Sequence, residues 1–98
     1  MKPGISTHRD ARVEFREALL YYRNADIAVA TEFFAFYERA VEQIIAAPLS
    51  NPQVVGTIRR KLLSKYPFSI FYRFSGERPR ILAIAHHKRK PHYWLGRS

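Results

Sequence analysis

A chain of 98 residues, 47% of them hydrophobic and 14% aromatic, is long enough for one folded domain and too apolar for a disordered basic arm. It has no cysteine, which excludes disulfides and thiolate zinc sites, and its apolar runs are far shorter than the ~18 residues of a membrane helix. The N-terminus lacks the apolar segment of a signal peptide. We therefore expect one soluble, cytoplasmic domain that spans residues 1–98.

The charge is divided unevenly between the two halves of the chain. The net charge is +9, but residues 1–49 carry 6 Lys/Arg and 7 Asp/Glu, whereas residues 50–98 carry 11 Lys/Arg and a single acid, Glu77. One-sided charge of this size indicates an acidic partner, either nucleic acid or a protein with an acidic surface.

The N-terminal half begins with Ile5–Thr7, a short extended segment that predicts an edge strand. From Asp10 apolar residues recur with a helical period and predict a first helix. Its apolar stripe consists of Ala11, Phe15, Ala18, Leu19 and Tyr22. The opposite, solvent-facing side is assigned to Glu14, Arg16, Glu17 and Arg23.

A second helix is predicted from Asp26, which can cap it, to about Ala47, where Pro48 ends it. Its buried stripe comprises Ala30, Phe33, Phe34, Tyr37, Val41, Ile44 and Ile45. Two amphipathic helices joined by so short a link predict an antiparallel helical hairpin, which must bury its stripe against another layer.

After Pro52 the hydrophobic period changes to two, as in β-strands. Strands are predicted at Thr57–Leu63, Phe68–Phe74 and Ile81–His86, the last of them apolar enough for the interior of a sheet. Helices followed by strands predict an α+β fold, in which the N-terminal antiparallel helical hairpin packs on a small antiparallel sheet of 3–4 strands.

The C-terminal histidines do not have the pattern of a metal site. His86 and His87 are adjacent at a strand end, where successive side chains point to opposite faces, and no carboxylate or cysteine lies near His92 in the sequence. The four scattered glycines form no phosphate-binding loop. We therefore expect neither a metal nor a cofactor.

The same region contains residue types that are used in two kinds of catalysis. A nucleophilic serine triad needs a buried acid to orient its histidine, and the helical acids are assigned to solvent. Metal-free RNA cleavage stays open, because His, Tyr and Arg can supply a base, an acid and positive charge for the phosphorane. The residues of the right type are His87, Arg89, His92 and Tyr93, although exposed polar residues at a strand end would look the same.

Basic and aromatic residues together indicate a recognition surface. Arg59-Arg60-Lys61 and Lys88-Arg89-Lys90 form two clusters on neighbouring strand segments. Tyr93 and Trp94 are residues that stack on bases or anchor protein interfaces. The set predicted to bind a partner or target is Arg59, Arg60, Lys61, His87, Arg89, Tyr93, Trp94 and Arg97.

An ordered set of motifs runs along the chain: Tyr21-Tyr22, Ile44–Pro48, Lys65–Arg73, Ile81–His86, and then Arg89, Pro91, Tyr93-Trp94 and Arg97. In this order, over roughly residues 5–97, the set resembles the RelE/ParE superfamily of toxins from bacterial toxin–antitoxin (plasmid stabilisation) modules. It implies two helices on a small antiparallel sheet. It also implies a cognate ParD-like antitoxin that wraps the toxin and through which DNA is mainly bound.

The superfamily divides by target, and the departures from its nuclease branch favour the ParE-like one. RelE-type toxins cleave mRNA on the ribosome with basic residues on the central strands, whereas ParE-type toxins inhibit DNA gyrase. Here Ser69, Leu62 and His87 stand where cations would be expected, while Arg60 and Tyr93 match the RelE pattern. The resemblance therefore implies a gyrase inhibitor. The alternatives are a ribosome-dependent mRNA endonuclease and a plain basic nucleic-acid-binding module.

Overall fold

Two helices precede the main strands, as the change in hydrophobic period predicts. The chain is represented by a computed structural model, which describes residues 3–98. Within that range the elements are β1 (Ser6–Thr7), α1 (Arg9–Ala25), α2 (Ile27–Ala46), β2 (Gln53–Val55), β3 (Ile58–Leu62), β4 (Phe68–Arg73) and β5 (Arg80–His86). None of the helices in the described part of the chain is both long enough and apolar enough to cross a membrane.

The helix ends are determined by capping side chains. His8 precedes α1, and its Nδ1 accepts a hydrogen bond from the Asp10 amide at 3.0 Å. Asp26 serves both helices: its amide donates to the Tyr22 carbonyl at 2.8 Å, and its Oδ1 accepts from the Ala28 amide at 2.9 Å. Only one residue separates the two helices, which fold back on each other. The predicted hairpin and its cap are therefore confirmed.

The sheet is larger than predicted and is mixed. Its order is β1-β5-β4-β3-β2, so the described residues form five strands rather than 3–4. All neighbours are antiparallel except β1 and β5, which are parallel. A parallel pair requires a long connection, and both helices and three strands lie between β1 and β5 in the sequence. The predicted edge strand near Ile5 exists, whereas β2, whose three residues are all exposed, was missed.

Alternation along β4 separates the protein into two apolar clusters. Phe68, Ile70 and Tyr72 face the helices and join the main core, whose largest fully buried helical side chain is Phe33. Phe71 points to the opposite face, where a smaller cluster forms around Ile58, Leu82, Ala83 and Trp94. A register shift opposite Phe71 and Tyr72 lets the consecutive residues Leu82 and Ala83 share that face.

Candidate functional site

A groove of about 340 Å³ lies on the sheet face turned away from the helices. Its floor is formed by outward side chains of β3, β4 and β5, and its wall by the segment that follows β5. None of its lining residues is acidic. The lining residues with polar or aromatic side chains are Arg60, Ser69, Phe71, His86, His87, Arg89, Lys90, His92, Tyr93 and Trp94.

The groove contains a hydrogen-bonded serine–histidine pair. Ser69 Oγ lies 3.0 Å from His87 Nε2. Ser69 is 1% exposed, whereas His87 is exposed to solvent. The sequence did not lead us to pair these residues, although the alternation of β4 already placed Ser69 on the face opposite Phe68 and Ile70. Because Phe68 pairs with His86, the next residue of the chain, His87, lies beside Ser69.

The C-terminal segment is held by an acid from α1. Glu14 Oε2 accepts from the Tyr93 hydroxyl at 2.7 Å and from Arg97 Nη2 at 3.0 Å, while Oε1 accepts from Arg97 Nη1 at 3.1 Å. Oε1 also accepts from the Ile84 amide at 3.0 Å. The assignment of Glu14 to the solvent face was therefore wrong: its side chain is 11% exposed.

Glu14 occupies a gap in the sheet. β1 pairs only with Arg80 and Ile81 of β5, so the Ile84 amide has no strand partner on that edge. The carboxylate supplies the missing acceptor and at the same time holds Arg97, which also donates to the Leu82 carbonyl at 2.9 Å. One side chain thus joins α1, β5 and the C-terminal segment.

Tyr93 is fixed by the same carboxylate. Burial raises the pKa of its phenol, and the hydrogen bond and charge of Glu14 raise this pKa further. The Arg89 guanidinium stacks over the ring at 3.8 Å from its centroid, and Arg97 lies 5.2 Å from it. The hydroxyl therefore stays protonated and donates to Glu14, so it is not free to exchange a proton with a ligand in the groove.

Trp94 lies in the core instead of on the recognition surface. Its side chain is 1% exposed and stacks on Phe71 with ring centroids 4.5 Å apart. The edge that it shows to the groove is small, so Trp94 is unsuited to stacking on a partner. Its contribution is to attach the C-terminal segment to the outer face of the sheet.

The predicted basic cluster on β3 is divided between two faces. Arg60 borders the groove, whereas Arg59 and Lys61 point the other way. Arg59 Nη1 donates to the Asn51 carbonyl at 2.6 Å and to the Leu49 carbonyl at 3.2 Å, which fixes the loop after α2. Lys61 lines a separate, smaller recess beside Arg39 of α2.

The structure brings together five of the eight predicted contact residues. Arg60, His87, Arg89, Tyr93 and Trp94 border the groove, whereas Arg59, Lys61 and Arg97 do not. His92, the remaining member of the nuclease alternative, also borders it. Among residues 3–98 there is no group of three or more His, Cys, Asp or Glu that could hold a metal ion. What the groove can do chemically is bind an anion.

Comparison with known proteins identifies the fold. No protein-family model matches the sequence, and the comparison with curated proteins found no match. A solved structure described as the chromosomal ParDE TA system from P. aeruginosa contains a similar chain, with a TM-score of 0.59 and 20% sequence identity. The match covers 84% of this chain and 92% of the other. The fold is ParE-like.

Strand pairing shows where the positions that depart from the expected nuclease pattern lie. Leu62 of β3 pairs with Ser69 of β4, and Ser69 pairs with Ala85 of β5. These three residues form a row across the floor of the groove that carries no charge. The two central-strand positions where the resemblance implies cations are therefore direct neighbours, and both lack one.

Proposed function

We propose that this chain is the toxin of a type II toxin–antitoxin module, that it inhibits DNA gyrase in the cytoplasm, and that a cognate ParD-like antitoxin neutralises it. The likeness to a chain of a ParDE system supports the module. The observation that carries the choice of target is the uncharged row formed by Leu62, Ser69 and Ala85 across the groove.

This row favours binding over phosphodiester chemistry. Cleavage of RNA requires donors and cations around the phosphorane, and each missing donor costs about 2.7–4 kcal/mol of transition-state stabilisation. The row lacks two such groups, and the Tyr93 hydroxyl is committed to Glu14. A surface with this composition suits recognition of a macromolecule better than acid–base catalysis.

Charge and exposed apolar side chains support the antitoxin. An acidic segment that folds on binding would be steered by the basic half of the chain, and it would need apolar surface to offset its ordering cost. The helical hairpin offers exposed apolar side chains for this purpose. They are Leu20, Tyr21, Ile27 and Phe34. Such an antitoxin would supply most of the DNA binding of the complex.

A second candidate function, ribosome-dependent mRNA cleavage, is favoured by one specific observation. His87 is hydrogen-bonded to Ser69 inside a groove that also contains Arg60, Arg89 and His92. An imidazole beside cations is the arrangement from which metal-free RNA cleavage is built.

Purified toxin should separate the two functions. We expect it to block DNA supercoiling by gyrase and to leave ribosome-bound mRNA intact. The variant Arg60→Gln/Arg89→Gln should lose inhibition, whereas the matched variant Arg16→Gln/Arg23→Gln, on the exposed side of α1, should retain it. Codon-positioned mRNA cleavage that disappears in His87→Ala, with gyrase unaffected, would establish the nuclease instead.

A further inference from the structure

The turn that follows β5 concentrates positive charge that nothing in the described structure neutralises. We define the basic turn as residues 87–92, all of which are exposed. Within residues 3–98, no ion pair involves Lys88, Arg89 or Lys90. Across the groove, Arg60 is exposed and likewise has no carboxylate partner among the residues that the structure describes. Cations therefore stand on both sides of a groove without acids.

The first half of the basic turn is fixed by hydrogen bonds that its backbone amides donate. The Lys88 amide donates to His86 Nδ1 at 3.0 Å, and the Arg89 amide donates to the His86 carbonyl at 3.0 Å. The His87 amide donates to the Pro67 carbonyl at 2.9 Å, which attaches the turn to the start of β4. A surface that is already ordered loses little conformational entropy when it binds a ligand.

The Arg89 side chain is also held in place. Its guanidinium stacks on the ring of Tyr93, which Glu14 fixes by its hydroxyl. The chain of contacts from α1 to this cation means that its position is prepared before a ligand arrives. The charge of Arg89 is left free, because an aromatic face neutralises no charge.

The Ser69–His87 pair adds a further donor when His87 Nδ1 carries the proton. Ser69 then donates to Nε2, and the Nδ1–H group of the exposed imidazole is free to donate to a phosphate oxygen. Ser69 itself is 1% exposed, so it orients the imidazole and does not contact the ligand.

The composition of the turn indicates a polyanion rather than an acidic peptide. A protein partner is held chiefly by apolar and aromatic anchors, but Pro91 is the only apolar residue in the basic turn, and Trp94 is buried. Rows of fixed cations with few anchors are typical of surfaces that bind phosphodiester backbones.

We infer that the basic turn, together with Arg60, binds the phosphodiester backbone of duplex DNA directly, so that the toxin contacts the DNA held by gyrase as well as the enzyme. The choice of DNA over RNA rests on the proposed function, since gyrase acts on DNA. The sequence-based expectation that DNA is bound mainly through the antitoxin is thereby extended: the toxin has a DNA surface of its own.

Binding of the full-length toxin to a short labelled DNA duplex, followed by fluorescence anisotropy, tests the inference. The variant Arg60→Gln/Lys88→Gln/Lys90→Gln should bind at least ~10-fold more weakly, and the slope of log K against log[salt] should fall by about 3. The control variant Arg12→Gln/Arg16→Gln/Arg23→Gln removes the same charge from exposed positions of α1 and should stay close to the unmodified protein. Equal losses in both variants would overturn the inference, because net charge alone would then explain binding.

Two further measurements keep the inference separate from the proposed function. The variant Arg60→Gln/Lys88→Gln/Lys90→Gln should match the unmodified toxin in its Trp94 emission and in its far-ultraviolet circular dichroism spectrum. Such a match shows that the variant is folded and that its loss of binding is not a loss of folding. If the unmodified toxin leaves gyrase active, the proposed function fails. If the unmodified toxin inhibits gyrase but binds the duplex no better than this triple variant does, the inference fails and the proposed function stands. At least ~10-fold preference for single-stranded RNA over duplex would also overturn it and would favour the nuclease.

Discussion

Glu14 is the single side chain on which the shape of the groove most depends. It accepts hydrogen bonds from Tyr93, Arg97 and the Ile84 amide, and both partners of its ion pair are largely buried. A buried ion pair adds little net stability compared with an apolar replacement, but removal of one partner leaves an uncompensated charge. Glu14 therefore acts as a lock: the C-terminal segment stays in place while the carboxylate is present.

The substitution Glu14→Gln tests this lock. We expect it to lower the free energy of unfolding by about 3 kcal/mol, because the Arg97 guanidinium loses its counter-charge in a site that is 17% exposed. Trp94 is the only tryptophan and lies in the locked segment, so its emission should shift to longer wavelength as the segment loosens. Glu17→Gln, at an exposed position of the same helix, is the control. Equal effects of the two substitutions would contradict the lock.

Tyr37 makes the protein sensitive to alkaline pH. Burial, and then the charge of Glu38, raise the pKa of its phenol to about 12. The native state therefore keeps a proton that the unfolded chain loses near pH 10, and stability, complete below pH 10, falls by about 1.4 kcal/mol per pH unit until about pH 12. Urea unfolding across this range should show a shallower decline in Tyr37→Phe than in the unmodified protein. An equally steep decline in both proteins would contradict the role of Tyr37.

A signal for Glu14 was present in the sequence, but its partners could not be identified there. Glu14 lies three residues after Ala11 and four before Ala18, and both alanines are buried, so helical spacing puts all three on one face. The usual exposure of glutamate outweighed this spacing. Nothing local connects residue 14 with Tyr93 or Arg97, because only the folded sheet brings the C-terminal segment over β5.

The long elements were predictable because each has its own local signal. Periodicity identified both helices and the three strands β3, β4 and β5 to within a residue or two. Asp26 indicated where the first helix ends and the second begins. The two-residue strand β1 was expected as an edge strand, but its partner was not, whereas the three-residue strand β2 is too short and too exposed to show an alternation. The parallel direction of β1 is likewise a property of the assembled sheet.

The hairpin depends on the cap that joins its helices. Asp26→Ala removes the hydrogen bond between the carboxylate and the Ala28 amide and should lower the free energy of unfolding by about 1 kcal/mol. Asp26→Asn keeps a side-chain oxygen at the same place and should restore most of this loss. Thermal and urea unfolding of the two variants provide the comparison. If the cap did not stabilise the hairpin, Asp26→Ala and Asp26→Asn would have the same free energy of unfolding.

At the scale of the whole molecule, the charge asymmetry read from the sequence becomes a difference between faces. The helical layer carries most of the acids, while the groove side carries Arg60 and the cations of the basic turn. The sequence could predict this imbalance because charge is additive along a chain. It could not predict that Arg59 and Arg97 would donate to acceptors within the protein, since this depends on which carbonyls and carboxylates the fold brings to them.

A net charge of +9 should make the stability of the free protein depend on salt. Added salt shortens the Debye length to about 10 Å at 0.1 M and weakens repulsion among exposed cations, whereas the buried Glu14–Arg97 pair is screened much less. We therefore expect the free energy of unfolding in urea to rise between about 0.01 M and about 0.1 M salt. The rise should be smaller in Lys88→Gln/Lys90→Gln than in Arg16→Gln/Arg23→Gln, because the first variant removes charge from the face on which the cations are concentrated. A rise of equal size in both would mean that the cations of the turn are too far apart to repel one another, and would also weaken the case that they act together on one anion.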